Sequence, residues 1–145
     1  MKNGILLLST FFSICLFCSE LVAQKLPGKR DSIQSDILKE KRIFTVLLPD
    51  KYVAGSAERY DVIYVLDGES NINMVSSVQK FTEEEGYMPS LIIVAVHNTD
   101  RTRDFLPTYH KDFPTSGGAD KFLEFFKKEL IPNIDKTYQT SGENL

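Results

Sequence analysis

Cysteine is nearly missing from this 145-residue chain, and its two copies, Cys15 and Cys18, both lie within or just after an apolar N-terminal run. Removal of that run leaves no thiol, which excludes a disulfide framework, a cysteine nucleophile, a thiolate zinc site and an iron–sulfur cluster. Histidine is scarce as well. His97 and His110 are the two present, and neither they nor the carboxylates show a ligand spacing, so no metal is expected. Also missing are a Walker-type loop, a Gly-x-Gly-x-x-Gly turn and any internal repeat. Basic clusters are lacking too: 17 Lys and Arg against 20 Asp and Glu leave a net charge of −3. The basic residues are scattered, which argues against nucleic acid as a partner.

What is present begins with the N-terminus. Lys2 precedes the apolar run Ile5 to Phe17, a polar stretch follows at Ser19 and Glu20, and Leu21, Val22 and Ala23 lead to Gln24. This is the layout of a secretory signal peptide over residues 1–23, cut after Ala23 although Leu21 is large for its place. The expected location is therefore exported, either periplasmic or secreted. A retained anchor is the alternative, disfavoured because the run is shorter than the roughly 20 residues a spanning helix needs. Phe17 stands where lipid attachment at Cys18 would want a small residue. The remainder, 42% hydrophobic and 26% charged over the whole chain, suits one globular domain.

Residues 24–41 read as a polar, mobile lead-in with Pro27 and Gly28, entering a strand near Ile33 to Ile37. Lys41 to Leu48 alternates with two apolar faces and ends at Pro49 and Asp50, a strand followed by a turn. The organising stretch is Val62 to Ser70. Val62 to Leu66 is apolar without alternation, as in a strand covered on both faces. Asp67 and Gly68 then turn the chain, Ser70 can cap a helix, and Met74, Val75, Val78 and Phe81 mark its buried side before Gly86 stops it. Leu91 to Val96 is a second buried strand, and strand–helix–strand at this spacing makes a right-handed parallel unit. A polar loop from His97 runs irregularly to Gly118, and the next helix extends from Gly118 or Ala119 to Ile131, with phenylalanines 122, 125 and 126 inward and Pro132 just beyond. Asn133 to Leu145 is polar, with no apolar run left to bury.

Taken together, several pieces resemble the esterase family of α/β-hydrolases that includes esterase D and enterochelin-esterase-like proteins. They are Leu48 to Tyr52, Val62 to Gly68, the strand Leu91 to Val96 with Asn98 after it, Arg101 to Phe105 with Pro107, and Phe122 to Pro132 leading to Tyr138. The resemblance implies residues 42–145 as the N-terminal portion of an α/β-hydrolase fold, three-layered with a mostly parallel sheet. It implies an exported serine ester hydrolase without a cofactor, acting through an acyl-enzyme on a small-molecule, carbohydrate or siderophore ester. In such enzymes a Gly-x-Ser-x-Gly elbow comes next. No such pattern occurs here, since Ser116-Gly117-Gly118 and Ser141-Gly142 lack it. The serine, acid and histidine are thus absent, and the 145 residues are expected to be without turnover. The alternative is a short exported α/β binding module with no catalytic activity.

The loop after the central strand is where this fold supplies an oxyanion-hole N–H, which makes Gly68 and Glu69 the backbone candidates by resemblance. Asp67 is either part of that site or simply the turn residue, and Glu69 at a helix start is a favourable dipole partner. Arg101 and Arg103 could clamp an anionic substrate, but their proximity to Asp104 favours a loop-ordering ion network. His97 and His110 stand alone, without a nucleophile beside them, and read as structural. An isolated N-terminal portion is expected to leave the strand Leu91 to Val96 with an open apolar edge.

Overall fold

Five consecutive residues, Ile92 to Val96, are each no more than 2% exposed, and the fold is built around the strand they form. A run this apolar and β-branched is stable only with neighbours on both edges and cover on both faces. The computed structural model describes residues 28–142; the expected signal segment lies outside them. Its strands are β1 (Lys29–Ser35), β2 (Glu40–Leu47), β3 (Val62–Val65) and β4 (Ile92–Val96), arranged β1-β2-β4-β3. β1 pairs antiparallel with β2, β2 antiparallel with β4, and β3 parallel with β4.

β1 begins at Lys29, ahead of the expected start at Ile33, so the tract read as a mobile lead-in supplies a sheet strand. The hairpin turn after it is tied down by Glu129, which accepts from the Ser35 hydroxyl at 2.5 Å and from the Asp36 and Ile37 N–H groups at 2.9 and 3.0 Å.

Helix α1 (Gly68–Glu84) covers one face of the sheet. Ile72, fully buried, and Val75 pack on Val65, Ile93 and Ala95. Three of the four residues expected on its buried side point elsewhere: Met74, Val78 and Phe81 are 62%, 55% and 59% exposed. The stripe at 74, 78 and 81 is a genuine helical row, but the row at 72 and 75 is the one turned to the sheet. Gly86 ends the helix as expected, at φ 75°. Its N–H reaches the Glu83 carbonyl and that of Tyr87 reaches Thr82, closing a Schellman-type cap.

The opposite face carries helix α3 (Ala119–Phe125), a π-helical turn (Phe126–Leu130) and helix α4 (Ile131–Thr137), which run on without a break. The helix was expected to stop near Ile131 because Pro132 follows. In the π turn the Ile131 N–H bonds to the Phe126 carbonyl, five residues back. That widening makes room for the proline ring, which in a regular helix would press on the carbonyl four residues earlier. Ile134, fully buried, and Tyr138 thereby join Phe44, Val46, Val94, Phe122 and Phe125 in the core, so the stretch after Asn133 does bury apolar side chains.

The free edges of the sheet are also not where the sequence suggested. β4 is enclosed by β2 and β3, and among the described residues the two edges without a partner strand are the outer edge of β1 and that of β3. At the base of the β3 edge Tyr60 and Thr140 form a parallel bridge. The Tyr60 N–H bonds to the Gln139 carbonyl and the Ser141 N–H to the Tyr60 carbonyl, both at 2.9 Å.

Candidate functional site

The parallel pair β3–β4 delivers two loops to the same end of the sheet, and the candidate site is where they meet. Asp67, not Ser70, occupies the N-cap position of α1, with φ 52° and ψ 44°. This left-handed conformation is uncommon for any residue but glycine, although aspartate tolerates it better than most. Gly68 follows because nothing larger fits: a Cβ there would lie 2.5 Å from the Ala95 carbonyl carbon and 2.7 Å from the Val96 nitrogen. The start of the helix is therefore pressed against the β4 backbone.

The two loops are joined through side chains. Asn98 Nδ2 and Arg101 Nε both donate to the Asp67 carboxylate, the arginine at 3.1 Å. The Asn98 N–H faces both oxygens of Glu69 at 3.2 and 3.3 Å. Arg101 is steadied in turn by the Phe105 ring, 5.1 Å from its guanidinium carbon, in the short helix α2 (Arg101–Phe105) that interrupts the expected irregular loop. The Asn98 amide and then Arg101 hold the Asp67 carboxyl below the usual range. The Asp67 carbonyl accepts from Ser70 and Asn71, each at 3.0 Å. The N–H groups of Gly68 and Glu69 find no acceptor among the described residues. Two free donors at the first turn of a 17-residue helix make a favourable seat for negative charge.

Arg103 points away from this cluster. Its guanidinium meets Glu40 at 2.6 Å and Asp104 at 2.7 Å. Arg42, 1% exposed, meets the same two carboxylates at 2.9 and 2.7 Å and lies over the Phe122 ring. This network ties the start of β2 to α2, the ordering role its composition suggested. His97 is 9% exposed, its Nε2 is 2.9 Å from the Thr45 hydroxyl, and burial lowers its pKa. It lines a cleft of about 340 Å³ together with Glu69, Asn98, Arg30 and Lys41. His110 lies in an exposed turn 3.8 Å from Asp112. Sequence reasoning noticed Asp67, Gly68, Glu69 and Arg101 one by one, and the structure brings them together. Asn98, which joins Asp67 to Glu69, was singled out only through the family resemblance and its place after a strand. No group of three metal-ligating side chains is found among the described residues, nor a helix long and apolar enough to cross a membrane.

A mixed sheet ordered β1-β2-β4-β3, helices on both faces and a helix start packed on the carboxyl end of a parallel pair define the N-terminal portion of an α/β-hydrolase fold. Residues 35–144 match the family described as "Putative esterase", and the chain belongs to it. It is 36% identical to an IroE-like serine hydrolase from Shewanella oneidensis, with a TM-score of 0.75 over 80% of this chain and 40% of that one. The BES protein from Bacillus cereus is 25% identical, with a TM-score of 0.64 over 77% of this chain and 47% of that one. Among curated proteins it is 26% identical to the ferri-bacillibactin esterase BesA of Bacillus subtilis, over 69% of this chain and 42% of the relative. The chain spans less than half the length of each of these relatives.

Proposed function

We propose that these residues are the N-terminal part of an exported serine ester hydrolase, and that they contribute the oxyanion-binding half of its active site. The observation that carries this is the pair of N–H groups at Gly68 and Glu69, without an acceptor among the described residues and held at the carboxyl end of β3 and β4. In the proposed reaction a serine oxygen attacks the ester carbonyl, its proton passing to a histidine. These N–H groups donate to the carbonyl oxygen as negative charge develops on it, the alcohol leaves with the histidine's proton, and water then releases the acid from the acyl-enzyme.

In this reading the serine, histidine and acid belong to sequence after Leu145, so the 145 residues alone have no turnover. Losing a nucleophile or base costs on the order of a millionfold. Two observations support this: among the described residues no strand pairs with the outer edge of β3, and at its base Thr140 bridges Tyr60 in parallel. The substrate class proposed is a small-molecule ester of the siderophore type, supported by the named activity of the Bacillus subtilis relative. Export rests on the layout of residues 1–23.

The test is to read the gene beyond the codon for Leu145 and express the whole frame. Covalent labelling by a fluorophosphonate, at a serine in a Gly-x-Ser-x-Gly turn, is the expected result, with no labelling of the 145-residue chain. A stop codon at that point, with no labelled product, refutes the proposal.

A further inference from the structure

We propose that Asp67, Asn98 and Arg101 are positioning residues, a clamp that fixes the Gly68 and Glu69 N–H groups in the geometry hydrolysis requires; this rests on the esterase reading above. The backbone itself poses the question. A glycine at position 67 would adopt φ 52° without strain, yet an aspartate stands there. Strained residues persist where surrounding contacts over-determine them, and here the contacts are visible. The carboxylate takes one donor from Asn98 and one from Arg101, both on the loop after β4. Asn98 also returns its own N–H to Glu69, the second of the two residues whose N–H groups are free. The residue before the helix and the residue carrying a free donor are therefore held from the same side by one neighbour.

Global stability is a poor explanation for this arrangement. The Arg101 side chain is 66% exposed and that of Asp67 27%, and exposed ion pairs stabilise folds very little. What the clamp restrains is local: the orientation of the peptide planes at 67–69, on which the direction of the two donors depends. Oxyanion donors work because they are aimed before the charge develops, and small displacements at a reacting centre are costly in rate.

The experiment uses the protein expressed from its complete gene, carrying Asp67→Gly, Arg101→Gln or both, with Arg101→Lys as the conservative partner. Asp67→Gly is compatible with the left-handed turn and removes the carboxylate together with its Cβ. The clamp predicts kcat on a chromogenic ester lowered by about 10- to 100-fold, KM within about twofold, and a double variant little worse than either single one, as for residues in one network. Arg101→Lys recovers part of the loss. A second readout is independent of catalysis: amide exchange at Ser70 and Asn71, whose N–H groups bond to the Asp67 carbonyl, rises about tenfold in both single variants while the rest of α1 is unchanged. Variants with wild-type kcat and wild-type exchange overturn the clamp alone. A wild-type protein that is neither active nor labelled by a fluorophosphonate overturns the hydrolase reading and the catalytic role of the clamp with it.

Discussion

Replacing Gly68 with alanine tests whether the approach of α1 to β4 sets the site. The added methyl would sit 2.5 Å from the Ala95 carbonyl carbon, 2.7 Å from the Val96 nitrogen and 2.9 Å from the Ala95 oxygen, all backbone atoms that cannot rotate away. Relief requires the first turn of the helix to retreat by about 1 Å, a distance that can cost on the order of 100-fold in rate when it moves a catalytic group. Overpacking against a rigid wall costs about 3 kcal/mol, the upper end of the usual range. Alanine returns at most about 1 kcal/mol through its lower unfolded-state entropy. The net loss is about 2 kcal/mol, which in a protein about twice the length of this chain lowers Tm by roughly 3–4 °C. Thermal unfolding of the full-length protein followed by far-UV circular dichroism measures the first effect, and kcat/KM on a chromogenic ester the second. Gly86→Ala is the control: its φ of 75° makes alanine strained, but its surroundings are open, so about 1 kcal/mol of stability is lost and kcat/KM is not. A Gly68→Ala protein with the wild-type Tm and turnover would refute the argument.

Asp104→Ala should cost about 3–5 kcal/mol in urea unfolding, because it leaves the buried Arg42 guanidinium with a partner missing at 2.7 Å. Acid should destabilise the fold in two steps. Burial lowers the pKa of His97 from 6.5, so the unfolded chain takes that proton first, and the stability it contributes is lost as pH falls from about 6.5 toward the folded value. The second step belongs to carboxylates. Glu40 is held low chiefly by its bond to Arg103, Asp67 by Asn98 and then Arg101, and Asp100 is lowered to about 2 by the Arg103 backbone N–H it accepts. All three folded values lie below unfolded ones of 4.5, 3.8 and 3.8, so this stability is present above about pH 5 and lost toward pH 2. Urea midpoints measured across that range check both steps, and a midpoint flat from pH 7 to 3 would contradict them.

The parts that could be read from the sequence were those where one local force dominates. Ile92 to Val96 is apolar enough to admit only a buried strand, and Gly86 marks a helix end through its backbone freedom. The Asp67-Gly68 turn combines a turn residue with the smallest side chain where the chain must reverse. The parts that could not be read depend on partners distant in sequence. Lys29 to Ser35 looks polar because, among the described residues, no strand pairs with its outer edge and only Ser35 is fully buried; pairing with β2 makes it a strand. Pro132 predicts a stop, and only the π turn at Phe126–Leu130 lets the helix continue past it. Asn98 acquires its role from Asp67 and Glu69, about thirty residues earlier in the chain.

The mismatch at Met74, Val78 and Phe81 carries more information than the agreements. Residues at 74, 78 and 81 fall on one side of a helix, and nothing about a solvated surface selects three large apolar side chains there. Ile63, Leu66 and Leu123, on β3, just after it and on α3, are similarly exposed at 37%, 42% and 56%. Periodicity in a sequence reflects the surroundings in which that sequence functions, so both patches are explained if further chain covers them, as the proposed full-length hydrolase requires. Phe81→Gln makes this measurable. Where the side chain stays exposed, the change should shift stability by no more than about 0.5 kcal/mol. Where a further layer buries it, the lost burial should cost about 1.5–3 kcal/mol. Urea midpoints of the full-length protein with and without the substitution decide between these values. The larger loss is expected, and a neutral result would mean that the stripe faces water in the complete molecule too, leaving its apolar character without a packing explanation.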